Sequence, residues 1–286
     1  MARVSLVERA VAADARLWAD WAAALRAIPE NPFGVEVRTF GRTTAILAHA
    51  APTSFFNRVI GMSSHDLDAL GEVVAFYRER LTPCRIDVPP VKGTALLSGR
   101  LRAMGWRAVE QQANLIARVA DLTLDRRGAT PVEVREVPSE DAEHFAELYD
   151  RAYSSSTAPL LARFRRRSLA ARIGRPGWHA YVAYLEGRLA GGGILHLADG
   201  VASLAGGATL PEFRRRGVQA ALLIGRLLDA RAAGCTWVVS RCASGSASQR
   251  NLERAGLKSA YTKWIWEASL QEGGSAPEGR RVITAA

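Results

Sequence analysis

The residues best placed to do chemistry form one run: Thr209, Leu210, Pro211, Glu212, Phe213, Arg214, Arg215, Arg216, Gly217, Val218, Gln219, Ala220, Ala221, Leu222 and Leu223. An apolar strand pattern ends, a proline stops its continuation, three arginines and a glycine follow, and an apolar helical pattern begins. That order suits phosphate. The first N–H groups of a helix have no partner inside it, and the helix dipole places partial positive charge there. Gly217 lets a ligand approach the main chain closely. Charge-assisted hydrogen bonds contribute roughly 1.5–3 kcal/mol each against about 0.3–1 kcal/mol for the dipole, so the directed bonds dominate. Taken alone, the run also fits a solvated basic helix start. Two other phosphate loops do not fit: the chain has no Gly-Lys-Ser/Thr and no Gly-x-Gly-x-x-Gly with an acidic partner, which argues against a nucleotide triphosphatase or a Rossmann dehydrogenase.

The elements that must position this run repeat along the chain. In the C-terminal half the pattern predicts a strand over Val201–Thr209, a loop over Pro211–Arg216 and a helix over Gly217–Ala233. A strand over Thr236–Ser240, a helix over Ser246–Ala255 and a strand over Leu257–Glu267 follow. The N-terminal half has the same order: strand Phe55–Ile60, loop Gly61–Ser64, helix Ser64–Leu81, strand Arg85–Val88, helix Gly93–Met104 and strand Trp106–Val119. Leu101 and Gly105 correspond to Leu252 and Gly256, each glycine closing a helix before an aromatic-rich strand. The spacing predicts two copies of one unit: residues 1–125, a linker over 126–131, and residues 132–270, with a mobile tail over 271–286. A loop inside one large domain is the alternative to the linker. At the place in the first copy that matches the arginine loop stand Gly61, Met62, Ser63, Ser64, His65 and Asp66, which offer an anion little to hold it.

The run from Thr209 to Leu223 resembles motif A of the GNAT superfamily of N-acetyltransferases, Val-x-Pro-x-Tyr/Phe-Arg-x-x-Gly-x-Gly/Ala. Thr209 stands at the Val position, Pro211 at the Pro, Phe213 at the aromatic, Arg214 at the Arg and Gly217 at the central Gly, while Gln219 departs from the final Gly/Ala. Ser248, Leu252, Ala255, Gly256 and Leu257 look like the helix of motif B and its closing Gly-Phe. The resemblance implies two α+β (α/β) domains of GNAT type, each a mixed, mostly antiparallel sheet flanked by helices, the first degenerate. It further implies that the second binds acetyl-CoA as cosubstrate and moves the acetyl group to a primary amine by direct attack on the thioester. Under it, Arg214, Arg215, Arg216, Gly217, Val218, Gln219 and Ala220 hold the pyrophosphate, Ala208 and Thr209 meet the pantetheine and thioester, and Asn251 is a further ligand candidate. Gly206 and Gly207 suit a bulge or a close backbone approach.

Catalytic groups are harder to place. Members of the family often carry a Glu on the strand that here runs Val201–Thr209, which has no carboxylate, and a Tyr where Leu252 stands. His196, His179 and Glu186 are the candidates for the base, and Tyr261 and Tyr153 for the acid, with His196 and Tyr261 preferred. Cys242 reads as structural. The departures motivate an alternative function, a non-catalytic acyl-CoA-binding sensor.

Composition fits this reading. With 286 residues, 48% of them hydrophobic and 23% charged, the chain has the make-up of a globular protein and room for about two domains. No apolar stretch approaches the roughly 20 residues of a membrane span, and the N-terminus, with Glu8 and Asp14 inside its apolar stretch, makes a poor signal peptide, so a cytoplasmic protein without membrane contact is expected. Cys84, Cys235 and Cys242 lack the spacing of a disulfide framework or a zinc site, so no metal is expected. The excess of 38 basic over 28 acidic residues, +10 overall, is compatible with a polyanionic ligand. Aromatics interleaved for base stacking are missing, which argues against nucleic acid, and the resemblance to the GNAT superfamily implies a small-molecule or peptide amine as the partner. Arg163, Arg165, Arg166 and Arg167 read as the solvated face of a helix bordering the acceptor or as a receiver for an acidic acceptor.

Overall fold

The computed structural model describes residues 5–124, 132–153 and 158–268. The expected linker at 126–131, the expected tail at 271–286 and the side chain of Tyr153 lie outside the described residues. A capped helix leads the chain: α1 spans Leu6–Arg26, where the Ser5 hydroxyl accepts from the Glu8 N–H and Glu8 accepts from the Ser5 N–H. Then come β1 (Val35–Phe40), β2 (Thr43–Ala48), β3 (Arg58–Ile60), α2 (Leu70–Arg78), β4 (Arg85–Val88), α3 (Thr94–Ala103) and β5 (Arg107–Arg118). The second half runs β6 (Val132–Glu136), α4 (Ala142–Tyr153), α5 (Pro159–Ala170), β7 (Trp178–Leu185), β8 (Arg188–Ala198), β9 (Val201–Thr209), α6 (Val218–Ala232), β10 (Trp237–Ala243), α7 (Ala247–Arg254) and β11 (Lys258–Glu267). The expected repeat of elements is therefore present. Its N-terminal version differs in detail: the expected strand over Phe55–Ile60 is a 3-10 turn followed by three residues of strand, and the expected helix over Ser64–Leu81 opens with a 3-10 segment, Ser64–Ala69.

All the described strands join one mixed sheet of 11 strands in the order β1-β2-β3-β4-β11-β5-β10-β9-β8-β7-β6. The last strand of each half has crossed over. β5 leaves the first half to pair with β10, and β11 leaves the second to pair with β4, the two meeting antiparallel at the centre. Among the described strands pairing is parallel only at β3·β4 and β9·β10, at equivalent places either side of the β11–β5 centre.

A polar network ties the centre of the sheet to α1. Lys263 on β11 lies 2.5 Å from Asp14 on α1 and 2.6 Å from Asp87 on β4, Arg58 on β3 lies 2.7 Å from Asp87, and Arg241 on β10 reaches Asp14 at 2.5 Å. Burial opposes the charge on Asp14, but Lys263 and Arg241 outweigh it and hold the carboxyl well below the usual carboxylate range. Each of these bonds joins elements that are distant in sequence.

Candidate functional site

The site starts where β9 and β10 part. Their parallel pairing runs from Val201–Trp237 to Leu204–Ser240 and stops. Beyond it β9 continues along β8, and β10 along β5. A bulge falls at the same point: Leu195 pairs with Leu204 and Ile194 with Gly206, which leaves Ala205 as the extra residue. Gly206 has a φ of 149°, which side-chain-bearing residues rarely adopt. A bulge bends its strand and increases twist, so β9 swings away from β10 and opens a cleft.

Glycines let helices close on both faces of the bulge. A Cβ at Gly192 would lie 2.8 Å from the Phe145 ring, and one at Gly206 would strike the Tyr149 hydroxyl, so α4 covers this face. A Cβ at Gly193 would lie 2.9 Å from the Arg226 guanidinium, and one at Gly207 2.8 Å from the Gln219 amide, so α6 covers the other. Arg226 sits flat on the bulge. Its Nη1 donates to the carbonyls of Gly206 at 2.6 Å and Ile194 at 3.1 Å, and its Nε donates to Leu222. It is buried with carbonyls rather than a carboxylate around it, and desolvation pulls its pKa down to about 10.

The arginine loop forms the mouth of the cleft. After Thr209 a 3-10 turn, Pro211–Phe213, buries Phe213 and turns the chain, Arg215 takes a φ of 62°, and Gly217 at 81° is the N-cap of α6. Among the described residues no side chain caps this helix. Among the described residues, the N–H groups of residues 215–220 meet no main-chain acceptor. Arg214 donates to the Thr209 carbonyl at 3.3 Å, Arg216 pairs with Glu186, and Arg214 and Arg215 are exposed. The arrangement presents several N–H donors and cations to solvent at one point, the geometry that holds a phosphate group. The equivalent place in the first half is closed: the Ser63 hydroxyl accepts from the His65 N–H, and Asp66 accepts from the Ser63 N–H at 3.1 Å.

Behind the mouth lies a cavity of about 230 Å³. Gln219, Leu223 and Arg226 of α6 and Ser248, Asn251 and Leu252 of α7 line it, with Gly206, Gly207, Arg241 and Cys242 from the parted strands. Tyr149 lines the opposite side together with Phe164, Arg165, Ser168 and Arg172. The first half adds Trp21, Thr53, Phe55, Phe56 and Gln112. No carboxylate or histidine is among the described lining residues.

The expected ligands of the cofactor thus fall into two groups. Arg214, Arg215, Arg216, Gly217, Val218 and Ala220 gather at the mouth, whereas Gln219 and Asn251 line the cavity. Ala208 and Thr209 continue β9 beyond the bulge, paired with Gly192 and Gly191 and outside the cavity wall. The two preferred catalytic residues lie elsewhere. His196 is 1% exposed, with Nε2 2.9 Å from Asp20 of α1 and its ring against Trp178, and burial lowers its pKa although Asp20 opposes the shift. Tyr261 packs with Ala10, Ile116 and Val239, and burial pushes its hydroxyl well up. Neither touches the cavity, because α1 draws His196 to Asp20 and the exchange of β11 places Tyr261 beside β5. His179 lies 2.6 Å from Glu136, and Glu186 holds Arg216, both away from the cleft wall. Cys242 does line the cavity, and burial pushes its thiol up, which keeps it protonated and a weak nucleophile. Arg165 borders the cavity 2.7 Å from Asp150, Arg166 pairs with Glu147 at 3.7 Å, and Arg163 is exposed. Tyr149 and Arg226 were missed from sequence, although an arginine interrupting an apolar helix seven residues after Gln219, on the same face, is a legible signal.

Comparison with known proteins finds the same fold. Residues 114–240 match the model of a GNAT acetyltransferase domain. Similar structures include a GCN5-related N-acetyltransferase from Kribbella flavida, 16% identical, with a TM-score of 0.66 over 95% of this chain and 98% of that one. A tandem GNAT protein from the clavulanic acid biosynthesis pathway is 16% identical, with a TM-score of 0.60 over 91% of this chain and 97% of that one. A GCN5-related N-acetyltransferase from Sphaerobacter thermophilus is 15% identical, with a TM-score of 0.56 over 96% and 97%. No curated protein matches the chain in sequence. Among the described residues no helix is long and apolar enough to cross a membrane. Residues 114–240 therefore match a GNAT acetyltransferase domain, within a fold shared with N-acetyltransferases and with a tandem GNAT protein.

Proposed function

We propose that the chain is an N-acetyltransferase that moves the acetyl group of acetyl-CoA to a primary amine, using one working site per chain. The observation that carries this reading is the uncapped start of α6, with Gly217 in the left-handed region and three arginines around it, at the mouth of the only parallel strand pair that parts at a bulge among the described residues. The pyrophosphate rests on the N–H groups of residues 215–220, and the pantetheine follows Gln219 and Asn251 into the cleft. The thioester carbonyl comes to the main chain at the bulge, where a fixed donor stabilises the oxyanion. In the reaction the amine nitrogen bonds to the carbonyl carbon, the carbon–sulfur bond breaks, and one proton passes from nitrogen to sulfur. Tyr149, whose hydroxyl stands over Gly206, carries that proton. Residues 132–270 form the working domain and residues 1–125 a degenerate one, whose Ser63 and Asp66 occupy its own N–H groups and which supplies Trp21, Phe55 and Phe56 to the acceptor wall.

Calorimetric titration with acetyl-CoA is expected to give one site per chain, and thiol release with an amine panel is expected to show turnover. Tyr149→Phe is expected to lower kcat by about 100-fold with unchanged acetyl-CoA affinity. An absence of binding overturns the reading, and two sites overturn the assignment of the first half. A second reading, an acyl-CoA-binding sensor, is favoured by the lack of a carboxylate or histidine on the described cleft wall; it predicts binding without turnover across the whole panel.

A further inference from the structure

The acceptor side of the cavity carries an arginine that has no counter-ion among the described residues. Arg172 follows α5, is 3% exposed and lines the cavity. Its guanidinium stacks 3.9 Å from the Trp21 ring and 5.0 Å from Trp178, and its Nε donates to the Ser168 carbonyl at 3.0 Å. Its Nη1 is buried and has no hydrogen-bond partner among the described residues. The other arginines of the wall are engaged: Arg165 holds Asp150, Arg241 holds Asp14, and Arg226 holds the bulge carbonyls. A buried guanidinium without an anion carries a desolvation cost that stacking on an aromatic ring offsets only in part. Burial draws the pKa of Arg172 down to about 9, the direction expected of a cation waiting for a negative partner.

Beside Arg172 the wall is apolar. Trp21, Phe55, Phe56, Phe164 and Leu161 line the cavity together with it, and Trp21 packs edge-on against Phe56 with ring centroids 4.8 Å apart. At about 230 Å³ the cavity lies below the roughly 300–1,000 Å³ of a drug-sized pocket. A polyamine or a lysine-rich peptide would bring cations to a wall that has several arginines and no described carboxylate.

From this geometry we infer that the acceptor is a small amphipathic amino acid, whose carboxylate pairs with Arg172, whose aromatic or large aliphatic side chain lies against Trp21, Phe55 and Phe164, and whose amine faces the bulge at Gly206. The inference rests on the acetyl-transfer reading for the amine but not for the carboxylate, so it has a test that needs no turnover. The full-length protein, without acetyl-CoA, is titrated calorimetrically with N-acetyl-phenylalanine and N-acetyl-leucine, the products that such acceptors would give, and with the corresponding amides. The acids are expected to bind about tenfold or more tighter than the amides, the contribution of a charge-assisted pair. Arg172→Met is expected to bring the acid-to-amide ratio to about one, and Arg172→Lys to retain part of it, which a purely structural role would not do. Equal affinity of acid and amide in the wild type, a ratio unchanged in Arg172→Met, or no binding of either acid overturns the inference; the wild-type ratio decides even where a variant fails to fold. Failure of acetyl-CoA to bind counts against the acetyl-transfer reading and leaves this ratio as a separate result.

Discussion

Asp14→Asn tests whether the buried charge network holds the sheet and α1 together. Asp14 is the carboxylate shared by Lys263 and Arg241, each at 2.5 Å, while Asp87 is shared by Lys263 and Arg58. Neutralising Asp14 leaves three cations, Arg58, Lys263 and Arg241, facing one carboxylate in the same network. Removing one partner of a buried pair costs about 3–5 kcal/mol, because the charge left behind has lost both water and counter-ion. At roughly 2.1 cal/mol/K of unfolding entropy per residue, 286 residues give about 0.6 kcal/mol/K, so the melting temperature should fall by about 5–8 °C. Because the network lowers the pKa of Asp14 in the folded state, its contribution is fully present above the unfolded value of about 3.9 and is lost as pH falls through the folded value. Urea unfolding of wild type and variant at pH 7, 5 and 3.5 should therefore show a gap that is level between the first two and smaller at the third. A gap below about 1 kcal/mol at pH 7, or one that is the same at pH 3.5, would show that the carboxylate charge does not carry the interaction.

Other expectations follow from the site and from the sheet. Gly217→Glu places a carboxylate at the mouth and forces a side chain into a φ of 81°, so acetyl-CoA affinity measured by calorimetry should drop by about 10- to 150-fold, the equivalent of one lost charge-assisted bond; unchanged affinity would remove the loop from the site. Gly193→Ala sets a methyl 2.9 Å from the Arg226 guanidinium and should cost about 1–3 kcal/mol in urea unfolding while slowing acetyl transfer, whereas Gly99→Ala, on exposed α3 with open space around it, should stabilise by about 0.5–1 kcal/mol. Cutting the chain at a protease site inserted between Leu124 and Val132 should leave two fragments that elute together in gel filtration, because β5 and β11 are each held by strands of the other half; separation without denaturant would show that the exchanged strands contribute little.

Much of this was legible in the sequence wherever the signal is local. The strand over Val201–Thr209 has the expected bounds, and the helix that follows differs by one residue at each end, because a proline and a glycine mark the break between them. Gly206 and Gly207 announced the bulge for the same reason. Partner choice is not local. The alternation in β5 and β11 shows that each is a strand, and nothing in it says that each pairs with the other half, since both sets of partners offer the same half-buried surface. The cavity was hidden for a related reason: Trp21 comes from α1, which the motif-based reading left out, and it meets Arg172 across 151 positions only once the sheet has formed.

The missing catalytic carboxylate has an electrostatic reading. A Glu on β9 facing α6 would point at Arg226, whose guanidinium already covers Gly193 and Gly207. An adjacent cation lowers the pKa of a carboxylate, and a carboxylate with a depressed pKa is a poor base for an ammonium group. An arginine-lined cleft and a carboxylate base are thus poor companions, which is why the proposed reading gives the proton to the Tyr149 hydroxyl. The same positive wall that disfavours the base suits the carboxylate of the amino-acid acceptor proposed above. On the proposed reading Arg226 and Arg172 divide the work: the first holds the carbonyls at the bulge, and the second would receive the carboxylate of the acceptor.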